Sequence, residues 1–255
     1  MNIATVELVT PRRCTLVLVR RFAGVLLVLG FAAVVTWLWH VPATSGTVDY
    51  IARYSPMRFA HGDVLALPGS AFLLGHPKMI GQTSFFVVAL FLPYALVRGV
   101  GRAGVVGLAG HCVSTLAVAA VVLPGAALGW SAADKVAHMG DYGASAALAA
   151  VAGALGIVLL RRWPPVGMLV LGAIGWYFLH SLMSHGNAMH NIADVEHLIA
   201  LTTGALLELW LTRRHRAPTP PLLDATRATP RNPSTPTHLS TCTPAEHVGG
   251  GPPPK

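Results

Sequence analysis

From about residue 22 to residue 211 the chain is a series of apolar segments roughly as long as a bilayer is thick, and its polar residues are concentrated at the two ends and in the connections between those segments. In hydrocarbon no water bonds to exposed N–H and C=O groups, so segments of this kind fold as α-helices. The totals agree: 53% of the 255 residues are hydrophobic and 11% are charged, too few charges to coat a soluble globule of this size. The expected fold class is an all-α membrane protein.

The first run, about 22–39, follows Arg12, Arg13, Arg20 and Arg21 and has the positive front and apolar middle of a signal peptide. It is longer than an ordinary signal core, and Trp37 and Trp39 stand where a small-residue cleavage site belongs. It therefore reads as an uncleaved helix with tryptophans at the far interface. Residues 40–83 alternate Asp49, Arg53, Arg58, His61, Asp63 and Lys78 with short apolar pieces. That stretch is too polar to span, and its composition predicts an outer loop with amphipathic pieces lying in the interface. Further spans are expected at about 84–97, 103–128, 142–160, 165–182 and 192–211, the first of these short unless it borrows length from the preceding loop.

The arginines orient these six spans. Arg12, Arg13, Arg20 and Arg21 precede the first, Arg98 and Arg102 lie between the second and third, Arg161 and Arg162 between the fourth and fifth, and Arg213, Arg214 and Arg216 follow the sixth. The loops after the third and fifth carry Lys135 and no arginine. Loop cations resist translocation, so both termini are expected in the cytoplasm of a multi-pass cell-membrane protein. Residues 1–14 then form a cytoplasmic N-terminus, 15–212 the membrane domain and 213–255 a disordered tail rich in proline and threonine. The formal charge of +8 does not imply nucleic acid, because the basic residues cluster beside apolar segments and not along one face. Cys14, Cys112 and Cys242 are far apart and make no metal-type spacing, so no disulfide framework is inferred.

Against this apolar background a few polar side chains stand out. Ser145, in Gly143-Ala144-Ser145-Ala146, and His197, in Asp194-Val195-Glu196-His197, each lie a few residues inside a span entered from the same side. Both are expected about 5 to 8 Å deep at a rise of about 1.5 Å per residue. A serine beside a histidine in a water-poor site is the minimum apparatus for nucleophilic catalysis; serine also commonly bonds to its own helix or packs helices together. Small residues around both, with Ala200 and Gly204 beyond the histidine, form a strip where backbones approach closely. Asp194 shares a helix face with His197 and either orients the imidazole or, as an acid in a first turn, favours the helix dipole. Asp141 admits the same two readings. His111 and Thr115, four apart in the third span, point to a structural hydrogen bond between helices or to assistance in chemistry. His180, His185 and His190 fall at intervals of five and do not repeat a metal-ligand spacing, so no metal or other cofactor is expected.

Taken together, Gly110-His111 with Thr115, Asp141-Tyr142-Gly143-Ala144-Ser145, and Asp194-Val195-Glu196-His197-Leu198 with Gly204 resemble the rhomboid superfamily, most closely the rhomboid-like membrane proteins of actinobacteria. The resemblance covers about residues 45–211. It implies a six-helix bundle in a bacterial plasma membrane, in which Ser145 is the nucleophile and His197 the general base. Gly143, Asp194, His111 and Thr115 support them, and Ala200 and Gly204 lie on the close-packing face. The polar stretch 40–83 corresponds to the family's interfacial first loop. The implied partners are membrane-protein substrates or clients within the lipid bilayer.

Two positions depart from the family pattern. Ala146 follows the serine where the proteases have glycine, and Gly81-Gln82-Thr83-Ser84-Phe85-Phe86 lacks the histidine and asparagine that help hold the oxyanion. Gln82 is the substitute donor to consider, with the backbone N–H at the serine another. Two functions follow from the resemblance: an intramembrane serine protease, or an inactive relative that binds or sorts membrane clients through the same groove. A weaker similarity, of Asp134-Lys135-Val136-Ala137-His138 to VanZ-like membrane proteins, covers one loop.

Overall fold

The computed structural model describes residues 11–74, 79–140, 143–184 and 187–214. Their regular elements are all helices. The expected tail falls outside them except for Arg213 and Arg214, which end the last helix, and residues 1–10 fall outside them as well.

The first helix, α1 (Pro11–His40), begins well before the apolar run at residue 22. Nothing between Thr15 and Arg21 breaks a helix, since long aliphatic and arginine side chains lose little freedom there. The stretch 40–83 holds three short helices, α2 (Pro42–Ala52), α3 (Pro56–Ala60) and α4 (Ala66–Ser70). Pro42 and Pro56 open the first two, where a missing N–H is harmless, and Ser55 Oγ caps α3 by accepting from Arg58 N–H at 3.2 Å. The Arg58 guanidinium closes the other end of α2. It donates to the carbonyls of Asp49 and Arg53, both at 2.8 Å, and of Tyr50 at 2.9 Å, and to the Asp63 carboxylate at 3.0 Å.

The second apolar segment is longer than expected. Helix α5 (Met79–Phe86), a π-helical turn (Val87–Phe91) and α6 (Leu92–Arg98) run together as 20 residues, so Gly81, Gln82 and Thr83 belong to the helix and not to the loop. The π turn sits just ahead of Pro93, whose ring crowds the carbonyl four residues back and whose missing N–H leaves it unpaired. Gly99, at φ 93°, then breaks the chain sharply into α7 (Val100–Ala127). After α7 come the short α8 (Ser131–His138), then α9 (Ala144–Arg162), α10 (Pro164–Ser184) and α11 (Ala188–Arg214).

Among the described residues five helices are long and apolar enough to cross a membrane: Thr15–His40, Met79–Arg98, Val100–Ala127, Ala144–Arg162 and Pro164–Ser184. The sixth expected span lies in α11, whose 27 residues suffice in length but which carries Asp194, Glu196 and Glu208. All three acids are buried. The polarity of α11 is therefore turned into the bundle.

Helix α9 lies at the centre, with residues 148–157 buried without interruption, and it packs on α7, α10 and α11. The contact with α11 is made by backbone. A Cβ on Gly204 would run into the Ala150 carbonyl, and one on Gly153 into the Leu201 carbonyl. A Cβ on Gly110 of α7 would run into the Ala150 methyl group. Small residues at these spacings let three helices touch where larger side chains would hold them apart.

At the opposite end from the start of α9, Glu208 is fully buried and pairs with Arg98 at 2.8 Å and Arg102 at 2.7 Å. Tyr94 donates to the same carboxylate at 2.6 Å and Thr212 at 3.1 Å. Arg21 donates to the Leu96 carbonyl nearby. These contacts gather the start of α1, the α6–α7 junction and the end of α11 at one end of the bundle. Arg98 and Arg102 thus neutralise a buried carboxylate that would otherwise be expensive in this position.

Replacement of Gly204 by valine is expected to lower stability by about 3 kcal/mol, because the collision is with backbone that cannot move aside. Gly172→Val, on an open face of α10 with nothing within 4 Å, is the control and should change it by under about 0.5 kcal/mol. Thermal unfolding in detergent, followed by circular dichroism, measures both.

Candidate active site

The close α9–α11 contact brings Ser145 and His197 together. Ser145 is the second residue of α9 and His197 the tenth of α11, and Oγ lies 2.8 Å from Nε2. Phe178 of α10 stacks on the imidazole, with centroids 4.8 Å apart and planes 10° from parallel, which fixes the ring's orientation. Ser145 itself is exposed. Its hydroxyl can be reached from outside the bundle while its partner ring is held.

The local chain explains the serine's position. Gly143 precedes α9 and offers no side-chain cap, and the first backbone bond of the helix runs from Ala147 N–H to the Gly143 carbonyl at 3.1 Å. The N–H groups of Ala144, Ser145 and Ala146 lie in the first turn of the helix. They sit beside the serine hydroxyl at the positive end of the helix dipole. Ala146, where the resemblance would have glycine, is buried with Ala149, Ala150 and Ala200, so its methyl fills the α9–α11 contact.

His197 lies roughly 14 Å along α11 from its start at a rise of about 1.5 Å per residue. Gly143 packs on His111, the twelfth of the 28 residues of α7, so closely that a Cβ would collide with the imidazole. The start of α9 is thus level with the middle of α7. The capping reading of Asp194 is corrected. This acid is the seventh residue of α11, in the second turn, and cannot cap the helix. The helix starts earlier than the apolar run at 192 because Ala188 to Asn191 extend it. Asp141 lies outside the described residues.

His111 belongs to a separate, fully buried network. Its Nε2 lies 2.8 Å from Ser70 Oγ and 3.0 Å from the Leu67 carbonyl, both in α4. Its Nδ1 lies 3.3 Å from Thr115 Oγ1, and that hydroxyl donates to Glu196 Oε1 at 2.8 Å. Ser114 reaches the same oxygen at 3.5 Å. His111, Thr115 and Glu196 therefore tie α7 and α11 to the short helices of 40–83, one residue away from His197 in sequence but on another face of α11. Gln82 is exposed and makes no hydrogen bond among the described residues. Ala200 is fully buried against α9, and Gly204 lies one turn beyond it.

On the neighbouring face of α9 lies an apolar cavity of about 500 Å³. It is walled by α1, the α5 and π-turn segment, α7 and α9, and it reaches Ala144, Ala147 and Leu148 beside the serine. Among the described residues no three His, Cys, Asp or Glu side chains converge in a way that could hold a metal ion. Three participants escape notice in the sequence: Phe178, Ser70 and Glu196. An acid inside an apolar segment is a signal that could have marked Glu196, whereas nothing local marks a phenylalanine among many apolar neighbours.

No protein family, curated protein or solved structure matches this chain.

His111→Ala should release α4 from α7, lowering stability by about 1 to 3 kcal/mol through the groups left unpaired. Hydrogen exchange in Ala66–Ser70 should rise relative to the rest of the bundle. Unchanged exchange there would show that the network does not hold α4.

Proposed function

We propose that this protein is a rhomboid-like intramembrane serine hydrolase, a protease acting on membrane-protein substrates, with Ser145 as nucleophile and His197 as general base. The observation that carries this reading is the 2.8 Å contact between Ser145 Oγ and His197 Nε2 across two helices, with the hydroxyl exposed. An ordinary packing serine in a transmembrane helix bonds back to its own backbone. This one is directed at an imidazole on another helix.

The chemistry follows from the geometry. Ser145 gives its proton to Nε2 as Oγ attacks a carbonyl carbon, and the imidazolium returns a proton to the leaving amine. The carbonyl oxygen becomes negative as the tetrahedral intermediate forms. The N–H groups at the start of α9 are the donors available for it, in place of the histidine and asparagine missing from α5, and an oxyanion donor of this kind contributes roughly 3 to 4 kcal/mol. Water then hydrolyses the acyl-enzyme. The apolar cavity beside Ala144 and Leu148 suits the aliphatic part of a membrane-embedded substrate.

The membrane arrangement belongs to the same proposal. Helix α11 is the sixth span, its three acids turned inward, and both termini lie in the cytoplasm of a bacterial plasma membrane. The arginines at the start of α1, the α6–α7 junction and the ends of α9 and α11 support that orientation.

Labelling of the purified protein in detergent with a fluorophosphonate tests the reading. The wild type should label, Ser145→Ala should not, and His197→Ala should label at least about a thousandfold more slowly, as in other serine hydrolases stripped of their base. A folded wild type that does not label would set the hydrolase aside in favour of a client-binding membrane protein.

A further inference from the structure

The dyad leaves one hydrogen-bonding question open. For Ser145 to donate its proton to Nε2, that nitrogen must be the acceptor of the neutral imidazole, so the ring proton resides on Nδ1. Nδ1 is buried and makes no hydrogen bond of good geometry among the described residues, although the Ala193 carbonyl one turn back approaches the ring. A buried donor so poorly paired is destabilising, and native proteins rarely tolerate one without a reason.

Two acceptors in the same part of α11 are in the complementary situation. Asp194 Oδ2 and Asn191 Oδ1 are both buried without a partner among the described residues. Spacing separates them. Residues three apart share a helix face, with Cβ atoms about 5 to 6 Å from one another. Residues six apart point to different faces and lie about 9 Å apart along the axis. Helical side chains also lean toward the N-terminus, so the imidazole of His197 tilts toward Asp194. The other nearby acid, Glu196, is engaged by Thr115 of α7 at 2.8 Å.

We propose that Asp194 is a positioning residue for His197, accepting the Nδ1 proton and completing a Ser145–His197–Asp194 triad. The proposal rests on the hydrolase reading for its catalytic meaning. Its hydrogen bond, however, can be observed without turnover. The two residues are one turn apart on α11, and the bond would satisfy two buried groups at once. Asp194 would hold the ring in the tautomer that accepts from Ser145 and would stabilise the imidazolium formed during attack.

The test is nitrogen-15 NMR of histidine-labelled protein in detergent, with His197→Gln identifying the His197 signals. In the wild type the ring proton should be on Nδ1 and hydrogen-bonded. In Asp194→Asn that signal should move upfield or be lost to exchange; in Asp194→Glu, which keeps an acceptor, and in Asn191→Ala it should persist. A wild-type proton on Nε2, or an Nδ1 signal unchanged in Asp194→Asn, overturns the proposal. The wild-type measurement stands even if a variant misfolds. Fluorophosphonate labelling separates the two readings: Asp194→Asn should label at least about a hundredfold more slowly. Equal labelling of wild type and Asp194→Asn removes Asp194 from the machinery and leaves the hydrolase. An unlabelled wild type whose ring signal still responds to Asp194→Asn removes the hydrolase and leaves the pair.

Discussion

Everything at the candidate site depends on α9 and α11 touching through their backbones. Gly204 against the Ala150 carbonyl and Gly153 against the Leu201 carbonyl set a separation that admits no side chain larger than the alanine methyls. A serine side chain is short, and an imidazole extends only a few ångströms from its own backbone. At ordinary helix separations of about 8 to 10 Å they would face each other without bonding. The small residues thus act on the chemistry at a distance: they contribute no functional group, and yet the 2.8 Å contact between Ser145 and His197 follows from them. Phe178 then removes the remaining freedom of the ring by stacking on it.

A second consequence of close packing is that α11 can carry polar groups that lipid would not accept. Its buried acids fall at different levels of one helix. Asp194 and Glu196 lie around the dyad, and Glu208 meets Arg98, Arg102, Tyr94 and Thr212 at the other end. Each engaged carboxylate is met by donors from a different helix, α7 at the upper level and α6 with α7 at the lower. The two ends of α11 are therefore fixed independently. Rotation or sliding of α11 past α9 would break hydrogen bonds at both levels, which confines His197 to one register opposite Ser145.

The helical, apolar character of the segments and the pairing of Ser145 with His197 can be read from the sequence, because hydropathy and a polar residue in an apolar run are local signals. The limits of the helices are less legible. Arg20 and Arg21 look like a boundary yet continue α1, and Gln82 looks like loop yet lies inside α5. Where α9 starts relative to its neighbours is hidden as well: it is shorter than α7 and begins beside His111, partway along that helix. A helix start is a statement about hydrogen bonds and not about hydropathy, so this placement leaves no trace in composition. The pairing of Glu208 with Arg98 and Arg102 is equally hidden, since it joins residues more than a hundred positions apart.

The polarity of α11 also bears on how the bundle assembles. An acidic residue near the centre of a transmembrane helix raises its insertion free energy by about 2.5 to 3.5 kcal/mol, and α11 carries Asp194 and Glu196 well inside its length. Leu, Ile and Ala residues offset part of that, but at a few tenths of a kcal/mol each they do not offset it fully. In a six-span arrangement α11 is the last helix to emerge, when α7 and α9 are already present. Thr115 and Ser114 on α7 then supply donors for Glu196, and Arg98 and Arg102 supply them for Glu208. Ser145 and His197 meet only when α11 docks on α9, so the same donors that hold the acids of α11 in the bundle also bring the pair into contact.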